Sequence, residues 1–525
     1  MMPSSSRTLR AKRRRHFVAL LALPLLAGCT IGPDYKEPPA EIPAAYKEAG
    51  WQIAQPADAI DRGAWWSVYR DPVLDALERQ IDISNQNLKS AEAAYRQATA
   101  IVAQARSGFF PTLTFNASAT RSRNPGGGSG AGGSGTGGSG AGGSGVGTGG
   151  GGGGNISNAF ALSGSAGWTP DLWGRIRRTV ESDVANAQAS AGDLASARLS
   201  AQGQLASDYM QLRVADELKR LLQSSVAAYT ESVRITRNQF NSGTADQSAV
   251  AQAEAQLEST RAQLVAIGVT RSQLEHAIAV LIGKPPSTLT LAPATAAIAI
   301  PAAPGELPAA LLQRRPDIAA AERRMAAANA QIGVAETAFF PNVTLSADYG
   351  VAAAMLDKLL TASSRMWSFG GTLAETLFDA GGRHAIVEQQ RALFDAAIAD
   401  YRQTVLTGFQ QVEDELAALR ILADQAKAQE AALAAAREAE RIINNQYKAG
   451  TVAYTSVIVA ETTALADAET VVNIRQSRLV ASVALIQALG GGWDAAQLPS
   501  RDRIERDSPL NFSPLPPADA LPKFP

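Results

Sequence analysis

A long helix, a tight glycine turn and a shorter helix occur twice in this sequence, and this repeat constrains the fold more than any other feature. The turns lie at residues 238–244 and 445–451. The segments that precede them, 175–240 and 383–447, contain no proline and are rich in Ala, Gln, Leu, Glu and Arg, which favours helix. A helix of about 65 residues is roughly 100 Å long. The repeat therefore predicts extended helical rods, because a compact domain does not need helices of that length.

The apolar residues of these rods follow one another at steps of three and four, which is the pattern of a coiled-coil seam. In the second long segment the seam consists of Phe394, Ile398, Tyr401, Val405, Phe409, Val412, Leu416, Leu419, Ala423 and Ala426. The same spacing continues after the first turn from Val250 to Leu281. The rods are therefore expected to pack side by side. Two shorter helices are expected, one at 71–107 before the first strand and one at 245–281 after the first turn.

A second repeated segment predicts β-strands between the rods. Phe-Phe-Pro occurs at 109–111 and again at 339–341, and apolar and polar residues alternate after each copy. Strict alternation indicates a strand with one apolar and one polar face. We expect four strands, near residues 111–121, 158–169, 341–352 and 366–378. Strands of nine to eleven residues can cross a bilayer at a tilt, and aromatic residues near the strand ends favour a membrane location over a soluble sandwich.

Four strands cannot close a barrel in lipid, because the backbone groups of their outer edges would stay unpaired. Two copies would give eight strands with a filled interior, whereas three copies give twelve and leave room for water. We therefore predict a mainly α fold in which a long α-helical coiled-coil barrel is combined with four β-strands per chain. A homotrimer would close a 12-stranded transmembrane β-barrel.

The amino terminus predicts export and a lipid anchor. Residues 1–28 combine a basic region with a short apolar core, which is typical of a signal peptide. The sequence Leu-Ala-Gly-Cys at 26–29 resembles the bacterial lipoprotein box, which implies that Cys29 is lipid-modified after cleavage. Cys29 is the only cysteine, so a disulfide within one subunit is excluded. The formal net charge of -1 gives no indication of nucleic-acid binding.

The repeats define the predicted domain organisation. In chain order it comprises a lipid-anchored extended segment at 29–70, a first repeat at 71–283 with its tip at 238–246, an equatorial link at 284–316, a second repeat at 317–489 with its tip at 445–453, and an equatorial tail at 490–525. The glycine-rich stretch 126–154 interrupts the first pair of strands and is expected to be a flexible loop.

Several motifs together resemble the outer-membrane factors of tripartite efflux pumps, in particular the lipoprotein branch that serves resistance-nodulation-division transporters (NodT-type). They are the cysteine box at 26–29, Trp65-Trp66 with 71–75, the two Phe-Phe-Pro segments, and the stretches 172–175, 281–285 and 311–318. The resemblance implies a barrel in the cell outer membrane, helices in the periplasm, and export of small molecules such as drugs and toxic compounds. It also implies two protein partners, a periplasmic adaptor and an inner-membrane transporter, with Gly243, Thr244, Gly450 and Thr451 in contact with the adaptor.

The predicted constriction departs from the family pattern. Members often carry an aspartate a dozen residues after the tip tyrosine, which is Tyr447 here, but this chain has Val459 at that position. Ser456 lies nearby and Glu461 follows two residues later. The narrowest point is therefore expected to be an apolar ring at Val459, or to depend on Glu461 or on Asp246 of the other turn.

Enzymatic chemistry has no support in the sequence. Apart from His16 in the signal region, the histidines are His276 and His384, and neither has metal-ligand spacing around it. No catalytic residue, metal site or cofactor is expected beyond the covalent lipid on Cys29. Two other functions stay open, the outer duct of a type I protein secretion system and, more remotely, a coiled-coil lipoprotein without a channel.

Overall fold

The structure is a computed structural model that describes residues 30–39, 43, 46–47, 64–124, 155–294, 298–301 and 311–507. The expected signal peptide, Cys29 and the glycine-rich loop lie outside the described residues, as does the tail beyond 507. Two compact units are present. Of the described residues, the first contains 30–32, 104–124, 155–179 and 333–387. The second contains 180–294, 298–301, 311–332 and 388–507, together with the described residues between 33 and 103.

Long helices and four strands dominate the described chain. In chain order the elements are α1 (Pro72–Ser84), α2 (Gln86–Ser107), β1 (Thr112–Asn124), β2 (Asn155–Trp168), α3 (Arg175–Asn241), α4 (Gln247–Leu281), α5 (Leu311–Arg314), α6 (Pro316–Glu336), β3 (Asn342–Ala353), β4 (Arg365–Ala374), α7 (Gly382–Lys448), α8 (Tyr454–Ala488) and α9 (Arg501–Asp507). The expected fold class, mainly α with four strands per chain, is confirmed.

The two long helices and the two helices that follow the turns repeat one another in length. Helices α3 and α7 each have 67 residues, and α4 and α8 each have 35. The three-four spacing correctly identified the packed face, since Tyr401, Val405, Phe409 and Val412 of α7 are all buried. Helix α4 contacts α8, and its seam residues Ala253 and Leu257 are buried as well.

The first short helix is broken, although the sequence predicted one helix from 71 to 107. The break falls at Asn85, whose backbone is extended. Its Oδ1 accepts a hydrogen bond from the Leu88 N–H at 2.9 Å, and its Nδ2 donates to the Leu281 carbonyl at 2.7 Å. Asn85 therefore caps α2 and joins it to the end of α4. This bond to a distant carbonyl is the physical reason why the prediction of a continuous helix was wrong.

Charged side chains hold the described part of the predicted equatorial link. The backbone of Leu291 donates to Glu275 at 2.6 Å and accepts from Arg271, while Arg213 donates to the Ala292 carbonyl at 2.8 Å. Buried Asp216 accepts from the Ala294 N–H at 3.3 Å and pairs with both arginines. The link is thus fixed to α3 and α4 through its backbone.

The strands form one antiparallel sheet in the order β1-β2-β3-β4. Thr112 lies opposite Gly167, Phe160 opposite Ala353, and Asn342 opposite Ala374. β1 continues to Asn124, beyond the predicted end at 121. β4 ends at Ala374, whereas the prediction extended it to 378, because β3 begins at Asn342 and offers later residues no partner.

Candidate functional site

The sheet has two chemically different faces, which the register defines without ambiguity. The first face is almost entirely apolar over most of its length and includes Leu113, Phe115, Ala117, Phe160, Leu162, Val343, Leu345, Val351, Trp367, Phe369 and Leu373. The second face is mostly polar and includes Thr112, Thr114, Asn116, Ser118, Ser163, Ser165, Thr344, Ser346, Asp348, Ser368 and Thr372. Such a sheet separates an apolar environment from an aqueous one.

The apolar face is not covered by any of the residues that the structure describes. Leu113 is 80% exposed and Trp367 is 77% exposed. Large apolar side chains in contiguous contact with water are unfavourable by about 25 cal/mol per Å² of apolar surface. In addition, β1 and β4 each have a strand neighbour on one side only among the described strands. The sheet therefore requires both an apolar solvent and further strands at its edges.

The two tips have the same backbone geometry. Gly243 has φ 74° and Gly450 has φ 72°, in the left-handed region that favours glycine. In the first tip the Gly243 N–H donates to the Phe240 carbonyl and the Thr244 N–H to the Gln239 carbonyl, both at 2.9 Å. Gly450 and Thr451 make the same pair of bonds to Tyr447 and Gln446. Each long helix thus ends in a Schellman motif.

Both tip glycines face open space. A Cβ atom added to either glycine would meet no heavy atom of the described residues within 4 Å. The threonines that follow turn inward instead, since Thr244 Oγ1 donates to the Gln239 carbonyl at 3.0 Å and Thr451 Oγ1 to the Gln446 carbonyl at 2.9 Å. The tips therefore present bare backbone that another chain can approach closely.

The predicted constriction residues do not share one environment. Val459 is 64% exposed on α8, and Asp246 is exposed just before α4. Ser456 is half-buried. Tyr447 is also half-buried, with its hydroxyl donating to Thr236 Oγ1 at 3.4 Å. Val459 and Asp246 thus lie on free surface of the chain, whereas Tyr447 packs between helices.

Glu461 lies inside the helix packing. It is 4% exposed, and one of its carboxylate oxygens accepts a hydrogen bond from Ser232 Oγ at 3.1 Å. Burial raises the pKa of Glu461 to about 7, the hydrogen bond from Ser232 opposes that shift, and the charge of Glu440 adds to it. The carboxyl group is thus held between α3, α7 and α8 of one chain. Glu461, one of the alternatives that the sequence left open for the constriction, is therefore buried, unlike Val459 and Asp246.

Sequence reasoning missed two polar residues. No individual role was assigned from the sequence to Arg315 of the motif 311–318, yet its buried guanidinium donates to Asp317, to Gln411 Oε1 at 2.8 Å and to the Ala488 carbonyl at 2.9 Å. Ser232 was missed as the partner of Glu461. Neither residue is part of the three-four spacing of apolar residues from which the packed faces were predicted. Their roles become evident only from the residues that they contact in the structure.

A family model with the description "Outer membrane efflux protein" matches residues 77–284 and 307–491 of this chain. The chain belongs to the outer membrane efflux protein family. It resembles the toluene efflux pump outer membrane protein TtgF of Pseudomonas putida, with 28% identity over 489 residues that cover 92% of this chain and 98% of the relative. The cation efflux system protein CusC of Escherichia coli is 26% identical over 89% of this chain and 96% of its own length.

Solved structures extend the similarity to three dimensions. The outer-membrane channel OprN is 30% identical and superposes with a TM-score of 0.76, covering 89% of this chain and all of that one. The outer-membrane channel MtrE of Neisseria gonorrhoeae, solved in an open state, is 26% identical with a TM-score of 0.74 over 89% of this chain and 99% of its own. As an outer membrane efflux protein, the chain is a channel of the outer membrane with its helices in the periplasm.

Proposed function

We propose that three copies of this chain form one passive duct, the outer-membrane component of a tripartite efflux pump. The observation that carries the proposal is the two-faced sheet with unpaired edges. Four strands from each of three copies would give a 12-stranded barrel, whose interior is wide enough to hold water. The polar face would then line the bore, and the apolar face would contact lipid.

The open tips support an assembly with a periplasmic adaptor. Gly243, Thr244, Gly450 and Thr451 form two equivalent turns whose backbone is accessible from outside. A second helical hairpin could pack closely against such turns because no side chain stands in the way. Energy would come from an inner-membrane transporter of the resistance-nodulation-division class, and this chain would act without enzymatic activity, metal or cofactor.

The lipid anchor on Cys29 would lie near the helix-proximal end of the sheet. The residues just after Cys29 are held at the start of α3, where Arg178 donates to the Ile31 carbonyl at 3.0 Å and to the Gly32 carbonyl at 2.9 Å. This end of the sheet would face the periplasm, where a lipid attached to the cysteine could enter the inner leaflet of the outer membrane.

The cargo would be small molecules, in keeping with the names of the relatives, which mention toluene, antibiotics and cations. Deletion should sensitise the cell to such compounds, and the purified protein should be a trimer that conducts ions in planar bilayers. Monomers or dimers in detergent, or a failure to conduct, would overturn the proposal. Loss of a secreted protein with unchanged drug susceptibility would instead support a secretion duct.

Val459 is proposed as the apolar ring that narrows the bore, since it is the exposed candidate on α8. Apolar rings hinder ions by dewetting. Replacing Val459 with glycine should raise single-channel conductance, and unchanged conductance would place the narrowest point elsewhere. Replacing exposed Asp246 with asparagine gives the comparison, because a charge ring there would alter ion selectivity.

A further inference from the structure

Three arginines break the apolar face of the sheet at one end. The register places Arg121 and Arg123 on the same face as Leu113 and Phe115, and Arg365 on the same face as Trp367. Arg121 and Arg123 lie near the end of β1 and Arg365 begins β4, so all three lie at the end of the sheet that is remote from the strand ends connected to α2, α3, α6 and α7. We call these three residues the outer arginine cluster.

The outer arginine cluster is a surface of unbalanced positive charge. All three side chains are exposed, and none makes a hydrogen bond or ion pair within the described part of the chain. The hairpin that joins β3 to β4 adds exposed Lys358 and one acid, Asp357. Within the described strands the carboxylate is that of Asp348, which lies on the opposite face and accepts a hydrogen bond from Ser368.

The position of the cluster defines the environment that it meets. The helices lie in the periplasm, so the remote end of the sheet faces outward. A cationic side chain on the lipid face costs about 2–4 kcal/mol at the midplane of a bilayer, but only about 0–1 kcal/mol near the interface. The arginines therefore lie at the level of the outer-leaflet headgroups. Guanidinium groups bind phosphate in a bidentate manner and are more weakly hydrated than ammonium groups.

We propose that the outer arginine cluster binds the phosphate groups of a phosphorylated glycolipid, the lipid A of the outer leaflet. The charge of the cluster is complementary to these phosphates, and apolar residues further along the same face, such as Phe115 and Trp367, supply surface for the acyl chains. One ligand would thus satisfy both the charged end and the apolar middle of the same face.

Barrel closure would combine arginines from two copies, a step that rests on the proposed trimer. β1 and β4 are the two edge strands, about 14 Å apart at a strand spacing of about 4.8 Å. When β4 of one copy pairs with β1 of the next, Arg365 and the pair Arg121 and Arg123 come to lie on neighbouring strands. Lipid A would then bridge two subunits and stabilise their contact.

The test uses the full-length lipidated protein and measures lipid binding by native mass spectrometry, with the temperature of subunit dissociation as a second readout. The probes are diphosphorylated lipid A, dephosphorylated lipid A and phosphatidylglycerol. The test variant is Arg121→Gln/Arg123→Gln/Arg365→Gln. The matched control, Arg234→Gln/Arg261→Gln/Arg391→Gln, removes three exposed arginines from the helices.

Diphosphorylated lipid A should bind the native protein and the control equally and raise their dissociation temperature. The test variant should need about tenfold more lipid A for half-saturation, as expected for the loss of a charged hydrogen bond. A second variant, Arg121→Lys/Arg123→Lys/Arg365→Lys, keeps the positive charge and should bind with intermediate affinity, which distinguishes a lost charge contact from misfolding. Equal binding by the test variant and the native protein would overturn the proposal, as would equal stabilisation by phosphatidylglycerol. Native mass spectrometry measures lipid binding separately for each oligomer. Absence of a trimer in the native protein before lipid is added would therefore count against the proposed duct, whereas lipid binding is still tested on the oligomer that is present.

Discussion

The two tips have the same backbone geometry, but the glutamates at equivalent positions lie in different environments. At the offset of 207 residues that separates Gly243 from Gly450, Glu254 of the first tip corresponds to Glu461 of the second. The side chain of Glu254 is 44% exposed and forms an ion pair with Arg237 across the turn. Glu461 is buried and accepts a hydrogen bond from Ser232.

Besides burial, one position on the facing helix differs between the two tips. The equivalent of Arg237 in the second tip is Asn444, which offers the carboxyl group a hydrogen bond but no positive charge. The surface pairs next to it are retained, since Glu231 with Arg234 corresponds to Glu438 with Arg441. The second tip has therefore lost one specific ion pair and not its charge pattern in general. A carboxyl group without a cation nearby is better tolerated in its neutral form.

The largest expected effect is a pH dependence confined to the second tip. Burial raises the pKa of Glu461 from 4.5 to about 7. Between pH 4.5 and pH 7, Glu461 is therefore protonated in the folded tip and ionised in the opened tip. The stability of the second tip should be constant below pH 4.5, fall as pH rises from 4.5 to 7, and then level off. One pKa unit corresponds to about 1.4 kcal/mol, so the total loss should be a few kcal/mol.

Hydrogen exchange of the backbone amides of 454–461 measures this loss as a free energy of local opening. The Glu461→Gln variant should remove the pH dependence and make the tip more stable than the native one at pH 8. Glu254→Gln serves as the matched control and should change little. A pH dependence that persists in Glu461→Gln would show that another group titrates. Glu440 of α7, whose charge contributes to the raised pKa of Glu461, would be the first acid to test.

A smaller effect is expected from giving the second tip the arginine of the first. In the Asn444→Arg variant a guanidinium group beside Glu461 should favour the ionised carboxylate and lower its pKa. The slope of opening free energy between pH 4.5 and 7 should then become shallow. Hydrogen exchange at pH 5 and pH 7 measures the change. An unaltered slope would mean that the new arginine side chain extends into water. Residue 444 would then not account for the different pH dependence of the two tips.

Much of the helical and strand architecture could be predicted from the sequence, because it follows from the spacing of apolar residues. The seam residue Tyr401 and the alternation that separates Leu113 from Thr112 follow directly from periods of about 3.6 and 2. The break at Asn85 was not accessible, since asparagine within a helix becomes a cap only when the Leu281 carbonyl is brought to it. The burial of Glu461 was equally hidden, because an identical residue in the first repeat is exposed. The spacing of apolar residues predicts which face of a helix or strand is packed. It does not predict which hydrogen-bond or ion-pair partner a polar group on that face finds.

The tip glycines should be equivalent in stability, in contrast to the glutamates. Gly243→Ala and Gly450→Ala each place a Cβ at positive φ, which should cost about 1 kcal/mol because the left-handed region disfavours L residues. Hydrogen exchange of each turn measures the cost. Gly268→Ala is the matched control, since this glycine lies within α4 with no atom near its Cβ position, and its replacement should stabilise the helix by about 0.5–1 kcal/mol. Unequal costs at the two tips would show that their backbones differ in solution.

The smallest expected effect concerns the ion pair of the first tip. Arg237→Asn reproduces the second tip at this position, but Glu254 is exposed and water can solvate its carboxylate when the arginine is removed. Exposed pairs contribute about 0–1 kcal/mol, so the opening free energy of 247–254 should fall by less than 1 kcal/mol and acquire no pH dependence near neutrality. A double-mutant cycle with Glu254→Gln isolates the pair. If Arg237→Asn instead produced a titration near pH 7, burial would not be what distinguishes Glu461, and the missing arginine alone would account for its raised pKa.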